Sequence, residues 1–125
     1  MARVLVIDDD KGLLDLMTLI LRRDNYEMIA AAGGAEGIDL FDAQKPDIVI
    51  VDAAMPNVDG FAVTEYIRGV DEETGQHTPV IMLTAYGQES SRQRGEEAGV
   101  DRYVVKPIKP KDILAHINEL LEQPA

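Results

Sequence analysis

Five short apolar runs punctuate the chain, at residues 4–7, 28–32, 48–51, 80–83 and 103–105, most of them rich in β-branched side chains. Their continuity, without the polar alternation of a half-exposed strand, predicts strands buried on both faces of a parallel sheet. Between these runs the period changes. Residues 11–24 place Leu13, Leu14, Leu16, Met17, Ile20 and Leu21 mostly on one wide face, which predicts an amphipathic helix able to cover the sheet. The last stretch repeats the logic with Ile113, Leu114, Ile117, Leu120 and Leu121, following Pro110 at a first helical turn. Five strands alternating with five helical segments predict an α/β doubly wound parallel sheet, because parallel neighbours require crossover helices. The pattern alone does not fix the strand order. Open sheets of this class carry their sites at the carboxyl ends of the strands.

Two connecting stretches depart from this regularity. Residues 60–69 read as the third helix, and the acidic, Gly- and Pro-containing residues 70–79 read as a solvated loop. Residues 87–98 have helical character but lack large apolar side chains, which predicts a segment loosely held or reserved for a partner. Composition narrows the function. The chain of 125 residues carries 12 Lys and Arg against 23 Asp and Glu, a formal charge of −11, which argues against direct nucleic-acid binding. No cysteine is present, so disulfides, thiolate metal sites and thiol nucleophiles are excluded, and a cytoplasmic location is expected. The apolar opening runs at once into three aspartates, and no stretch reaches the roughly 18 apolar residues of a membrane span, so no membrane insertion is expected. The length suits a single domain over residues 1–125, with no output domain, and Met1 just before the first strand favours a complete protein.

The chemistry gathers at the predicted strand ends. Asp8, Asp9 and Asp10 follow the first strand, Asp52 the third, Thr84 the fourth, and Lys106 with Pro107 the fifth. Carboxylates this close raise one another's proton affinity unless a cation intervenes. An all-oxygen donor set favours Mg²⁺, with Ca²⁺ or Mn²⁺ as substitutes, over zinc. Thr84 and Lys106 extend the picture, since a hydroxyl and an ammonium recognise an anion, and the pocket then suits a metal-bound phosphoryl group. Asp52 stands alone at the end of a central strand and is the best nucleophile, while Asp8 and Asp9 are better placed to hold the ion.

The stretches Val6-Ile7-Asp8-Asp9, Asp52-Ala53-Ala54-Met55-Pro56-Asn57-Val58-Asp59-Gly60, Leu83-Thr84-Ala85 and Tyr103-Val104-Val105-Lys106-Pro107 resemble the signatures of response-regulator receiver domains, in the same chain order and over essentially the whole sequence. The resemblance implies a flavodoxin-like sheet of order 2-1-3-4-5. It implies that Asp52 accepts a phosphoryl group from phosphohistidine on a sensor histidine kinase or histidine phosphotransfer protein. Asp8, Asp9, Asp52 and the backbone carbonyl of Ala54 would hold Mg²⁺. Lys106 would contact the phosphoryl oxygens, Thr84 would turn inward to hydrogen-bond them, and the Lys106–Pro107 bond would be cis. Tyr103 would then enter the vacated space, altering the surface of the fourth helix, fifth strand and fifth helix, here roughly residues 88–98, 102–105 and 111–121, towards an unknown downstream protein. Such a domain is a switch that assists its own phosphorylation and dephosphorylation and is not otherwise an enzyme. Ala54 and Tyr86 occupy positions that vary among receivers and tune phosphoryl lifetime; replacing Tyr86 by Ala is expected to alter self-dephosphorylation.

Other polar residues invite plainer roles. Asp10 and Asp59 suit helix caps, and Asp15 a solvated helix position. His77 and His116 read as surface residues, Gly33-Gly34 as a turn without a phosphate-loop pattern, and Tyr103 could be an ordinary half-buried strand aromatic. Two rival functions compete. The Asp8-Asp9-Asp10 opening is also similar to that of haloacid-dehalogenase-type phosphohydrolases, with Asp8 as nucleophile and Asp10 as general acid, but that leaves Asp52 unexplained and lacks acidic metal ligands beyond Lys106 other than the helical Asp112. A degenerate receiver serving only as an interaction module is the other.

Overall fold

The computed structural model describes residues 1–85 and 89–122. Five strands, β1 (Arg3–Ile7), β2 (Glu27–Ala31), β3 (Ile48–Asp52), β4 (Val80–Thr84) and β5 (Arg102–Val105), alternate with five helices, α1 (Lys11–Arg23), α2 (Gly34–Gln44), α3 (Gly60–Thr74), α4 (Glu89–Ala98) and α5 (Pro110–Glu122). All strand pairs are parallel, in the order β2-β1-β3-β4-β5. The expected doubly wound α/β architecture and its 2-1-3-4-5 order are therefore present, with β1 and β3 flanking the switch point.

Alternating side chains of the central strands feed two cores. Leu5, Ile7, Val49, Val51 and Met82 meet Phe41 of α2 and Phe61, Val63 and Ile67 of α3 on one face. Val4, Val6, Ile48, Ile50 and Ile81 meet Met17 and Leu21 of α1 and Ile113 and Ile117 of α5 on the other. Burial on both faces explains the uninterrupted apolar runs of β1, β3 and β4; β2 and β5 depart from that expectation and stay partly exposed, because they lie at the sheet edges. Asp10 caps α1 by accepting from the amides of Gly12 and Leu13, Asp59 caps α3 by accepting from Ala62, and Asp15 is exposed, as the sequence suggested.

The acidic stretch after residue 69 is not the expected loop. The helix α3 runs on to Thr74 and stops at Gly75, whose φ of 73° is the left-handed cap that glycine favours. The reason is an internal ion pair. Asp71 is buried, taking Arg68 Nη1 at 2.7 Å on one oxygen and the Thr78 hydroxyl at 2.9 Å on the other, while Val70 packs against the core. The pair Gly33-Gly34 also does more than turn. Gly33 precedes the first turn of α2, and a Cβ on Gly34 would lie 2.2 Å from the Val58 carbonyl oxygen, so α2 can approach the loop after β3 only with glycine there.

Candidate functional site

Sheet register delivers the polar residues to one edge. Ile7 pairs with Val51 and Asp52 pairs with Leu83, so Asp8 emerges from β1 beside the final residue of β3. Thr84 pairs with Val105, which sets Lys106 just beyond them at the end of β5. The Lys106 amide donates to the Thr84 carbonyl at 2.7 Å, and the Lys106–Pro107 bond is cis. A single crossing of each strand thus unites residues separated by nearly the whole chain.

Asp8, Asp52 and Thr84 are all buried, whereas Asp9, the other aspartate of the opening pair, is exposed at the rim. The Lys106 ammonium reaches both buried carboxylates, 3.2 Å from Asp8 Oδ2 and 3.5 Å from Asp52 Oδ2. Asp8 Oδ1 accepts from the Asp10 amide at 2.9 Å, and Asp52 Oδ1 receives a longer contact from the Ala54 amide at 3.4 Å. Two buried anions share one partly exposed cation. Burial raises the pKa of Asp8 above the ordinary carboxyl value, opposed by the Asp10 amide and by Lys106. Asp52 is raised by burial and then by the charge on Asp8, against Lys106 and the Ala54 amide. For Lys106 burial works downward, but the two carboxylates outweigh it and its pKa is raised. The triad carries a net negative charge, which a second cation would offset.

Carboxylate oxygens of Asp8, Asp9 and Asp52 lie within 4.8 Å of one another. Their hard oxygen chemistry, with two of them under-neutralised by Lys106, fits a divalent ion such as Mg²⁺. Ala54 is exposed two residues past Asp52. Glycine is needed once more here: a Cβ on Gly60 would sit 2.2 Å from the Asp52 carbonyl oxygen. The amide of Gly60 donates to Ala53 at 3.0 Å, which folds the loop of residues 53–59 tightly back on the end of β3. Gly60 enters the sequence pattern as the last residue of the motif that starts at Asp52; its role against the Asp52 backbone depends on a through-space approach that spacing does not reveal.

The structure thus unites Asp8, Asp9, Asp52 and Lys106, with Thr84 at the neighbouring strand end. Tyr103 is half-buried on β5, with the Arg92 guanidinium 5.5 Å from its ring centroid. Tyr86 lies outside the described residues, as do residues 87 and 88 of the expected fourth helical segment. Asp10 spends its Oδ1 on two helix amides, which suits a cap and leaves the phosphohydrolase alternative without its general acid. His77 is exposed, with Nε2 2.7 Å from Asp101 ahead of β5, and half-buried His116 of α5 has Nδ1 3.1 Å from Arg102 at the start of β5; both contacts lie at the strand ends opposite the carboxylates.

Comparison with known proteins agrees with this geometry. Residues 4–118 match a family model described as the response regulator receiver domain. The DNA-binding dual master transcriptional regulator RpaA of Synechocystis is 37% identical over 123 residues, 98% of this chain and 50% of that protein. The chain spans about half the length of the curated relatives it matches. Among solved structures, a putative response regulator from Chloroflexus aurantiacus superposes with a TM-score of 0.89 at 30% identity, covering 98% of both chains. The CheX-CheY-BeF3-Mg²⁺ complex from Borrelia burgdorferi gives 0.88 at 26% identity, covering 98% of this chain and 90% of that one.

Proposed function

This chain belongs to the response regulator receiver domain family, whose general function is a phosphorylation-activated switch in two-component signalling, and from that premise we propose that Asp52 is its phosphoacceptor. The observation that carries the reading is the triad of buried Asp8 and Asp52 with half-buried Lys106, which holds two carboxylates and one ammonium within 3.5 Å contacts at the switch point of the sheet. Asp52 Oδ attacks the phosphorus of a phosphohistidine, the P–N bond breaks, and an acyl phosphate forms as the imidazole departs with the bonding pair. Lys106 is already positioned between the carboxylates and transfers its hydrogen bonding to the incoming phosphoryl oxygens. Asp8, Asp9, Asp52 and the Ala54 carbonyl are the groups that would hold Mg²⁺, which supplies charge neutralisation for the phosphoryl oxygens. Thr84 turns inward to donate its hydroxyl to them, and Tyr103 follows into the space released.

The donor in this reading is a sensor histidine kinase or a histidine phosphotransfer protein, and the output is a changed surface of α4, β5 and α5 that regulates a downstream protein. The same site would catalyse its own dephosphorylation, with Ala54 beside the acceptor offering no polar side chain to speed water attack. RpaA is named as DNA-binding, but the charge of −11 on this chain supports a partner other than the nucleic-acid backbone for the receiver unit itself. Among the described residues no helix is long and apolar enough to cross a membrane, and the reading includes a cytoplasmic setting.

The test is mass spectrometry after incubation with acetyl phosphate and Mg²⁺. Addition of one phosphoryl group to Asp52, absent in Asp52→Asn, is the expected result. Label on Asp8, or undiminished uptake by Asp52→Asn, would overturn the assignment and revive the phosphohydrolase-like alternative.

A further inference from the structure

The helix α4 has no broad apolar face to hold it. Of its described side chains only Ala98 is a buried hydrophobic, while Ser90, Arg92, Gln93, Arg94, Glu96 and Glu97 are exposed. Two guanidinium groups provide much of its grip instead. Arg94 Cζ stands 4.2 Å from the centroid of the Phe61 ring, and its Nη2 lies 3.6 Å from Asp59 Oδ2. Arg92 covers Tyr103 in the same way from the other side. Phe61 is a core residue, and Asp59 caps α3, so Arg94 fastens α4 to the turn that begins at the proposed acceptor.

Between that turn and α4 is a cavity of about 540 Å³, bordered by Ala54, Met55, Pro56, Thr84, Ser91 and Arg94 among others. This cavity is open to solvent, so Ser91 and Arg94 face the acceptor loop across it and not across a packed seam. The wall that Thr84 forms is the one whose inward turn the proposed function invokes. Movement of Thr84 and the loop therefore changes the ground on which α4 rests, and the cavity gives the helix room to shift relative to Phe61.

We propose that Arg94 is a positioning residue for phosphoryl acceptance: its clasp on Phe61 and Asp59 holds α4 over this cavity in the unphosphorylated molecule and thereby sets how readily the phosphoryl-bound arrangement forms. The inference rests on Asp52 being the acceptor. A contact made more strongly in one state biases the equilibrium towards that state by its differential strength. An exposed cation–π contact corresponds to roughly a two- to fivefold bias, and the planar guanidinium makes it better than an ammonium does.

The experiment compares wild type, Arg94→Ala and Arg94→Lys in two measurements: titration with beryllofluoride at fixed Mg²⁺, and amide hydrogen exchange across residues 89–98. Arg94 is well exposed, so its replacement leaves the core intact. Arg94→Ala is expected to exchange several-fold faster in α4 and to reach half-saturation at roughly threefold lower beryllofluoride, with Arg94→Lys intermediate in both. A midpoint unchanged or raised in Arg94→Ala overturns the proposal even if exchange increases, because a purely structural contact would loosen the helix without favouring the bound state. A wild type that binds no beryllofluoride overturns the acceptor reading itself. In that event Arg94's hold on α4 is judged by exchange alone, and unchanged exchange in Arg94→Ala overturns it.

Discussion

Asp52 is asked to be two things at once, a buried group inside a folded domain and an anion able to attack phosphorus. Burial and the neighbouring Asp8 charge raise its folded-state pKa above the ordinary 3.8, so the folded chain holds that proton more tightly than the unfolded one. The stabilising contribution of the group is then complete below the ordinary value and is lost as pH rises through the folded value. At neutral pH the metal-free site holds two carboxylates against one ammonium, and Asp52→Asn leaves the neutral pair Asp8 and Lys106. The variant should therefore melt higher than metal-free wild type at pH 7, by on the order of 1 kcal/mol or a few degrees. The difference should shrink as pH is lowered towards the ordinary carboxyl range, because wild-type Asp52 then becomes neutral too. Thermal melts of both proteins in a chelator across this range check the prediction; a gap that stays constant would mean the Asp52 charge is not the source. Gly60 presents the steric counterpart. A methyl group there meets the Asp52 carbonyl at 2.2 Å, so Gly60→Ala should displace the acceptor backbone and cut the rate of phosphoryl uptake by tenfold or more, an effect read by phosphoryl uptake kinetics beside a retained circular dichroism spectrum.

Among the elements, strands were legible to within a residue; in the central ones burial on both faces writes itself as an uninterrupted apolar run, as at Ile48–Asp52, where every residue is buried, while the edge strands β2 and β5 carry such a run although they are partly exposed. The ends of α1 and α5 were legible through Asp10 and Pro110. The end of α3 was not, because Gly69 followed by Asp71, Glu72 and Glu73 has the composition of a loop, and only tertiary contacts make Asp71 an interior residue. Arg68 makes that possible. Its guanidinium donates to Asp71 at 2.7 Å, to the Thr78 carbonyl at 2.8 Å and to Asp101 at 2.8 Å, while Nε donates to the Gly99 carbonyl at 2.8 Å. One side chain therefore fastens α3 to the approach to β4 and to the turn between α4 and β5. Removing it leaves a buried carboxylate without its cation, a loss on the order of 2–3 kcal/mol once its partial exposure is allowed for. Arg68→Ala should lower the denaturation midpoint accordingly, whereas Asp71→Asn, which keeps hydrogen-bonding capacity without the charge, should cost less than Asp71→Ala. Equal losses for the two Asp71 variants in urea titrations would show that packing, not the polar clamp, sustains the last turn. The candidate site shares this division: its residue types were readable at the strand ends, but the sharing of Lys106 between Asp8 and Asp52 depends on register and burial, which no local spacing encodes.

For the molecule as a whole, the same edge that collects the site also collects an unbalanced charge, which among the described residues the Lys106 ammonium meets only in part. A divalent ion that binds the folded domain and not the unfolded chain should stabilise it by about 2.7 kcal/mol at a hundred times its dissociation constant. Mg²⁺ should therefore raise the melting temperature of wild type, and much less that of Asp9→Asn or Asp52→Asn, which each remove a carboxylate from the cluster of three. Proton binding opposes this. The pKa values of Asp8 and Asp52 are both raised in the metal-free protein, so Mg²⁺ must displace whatever protons these groups hold. The raised pKa of Lys106 keeps it cationic throughout the same range, so it contributes a constant repulsion and no pH dependence of its own. Apparent Mg²⁺ affinity should accordingly be flat above the raised carboxyl values and fall on acidification below them, with a slope approaching two protons per ion if Asp8 and Asp52 both titrate. Calorimetry in buffers of different ionisation enthalpy reads the protons released directly. A slope of one in wild type that disappears in Asp52→Asn would place the linked proton on the acceptor alone, whereas an affinity that stays independent of pH through and below the carboxyl range would remove the buried carboxylates from the metal site altogether.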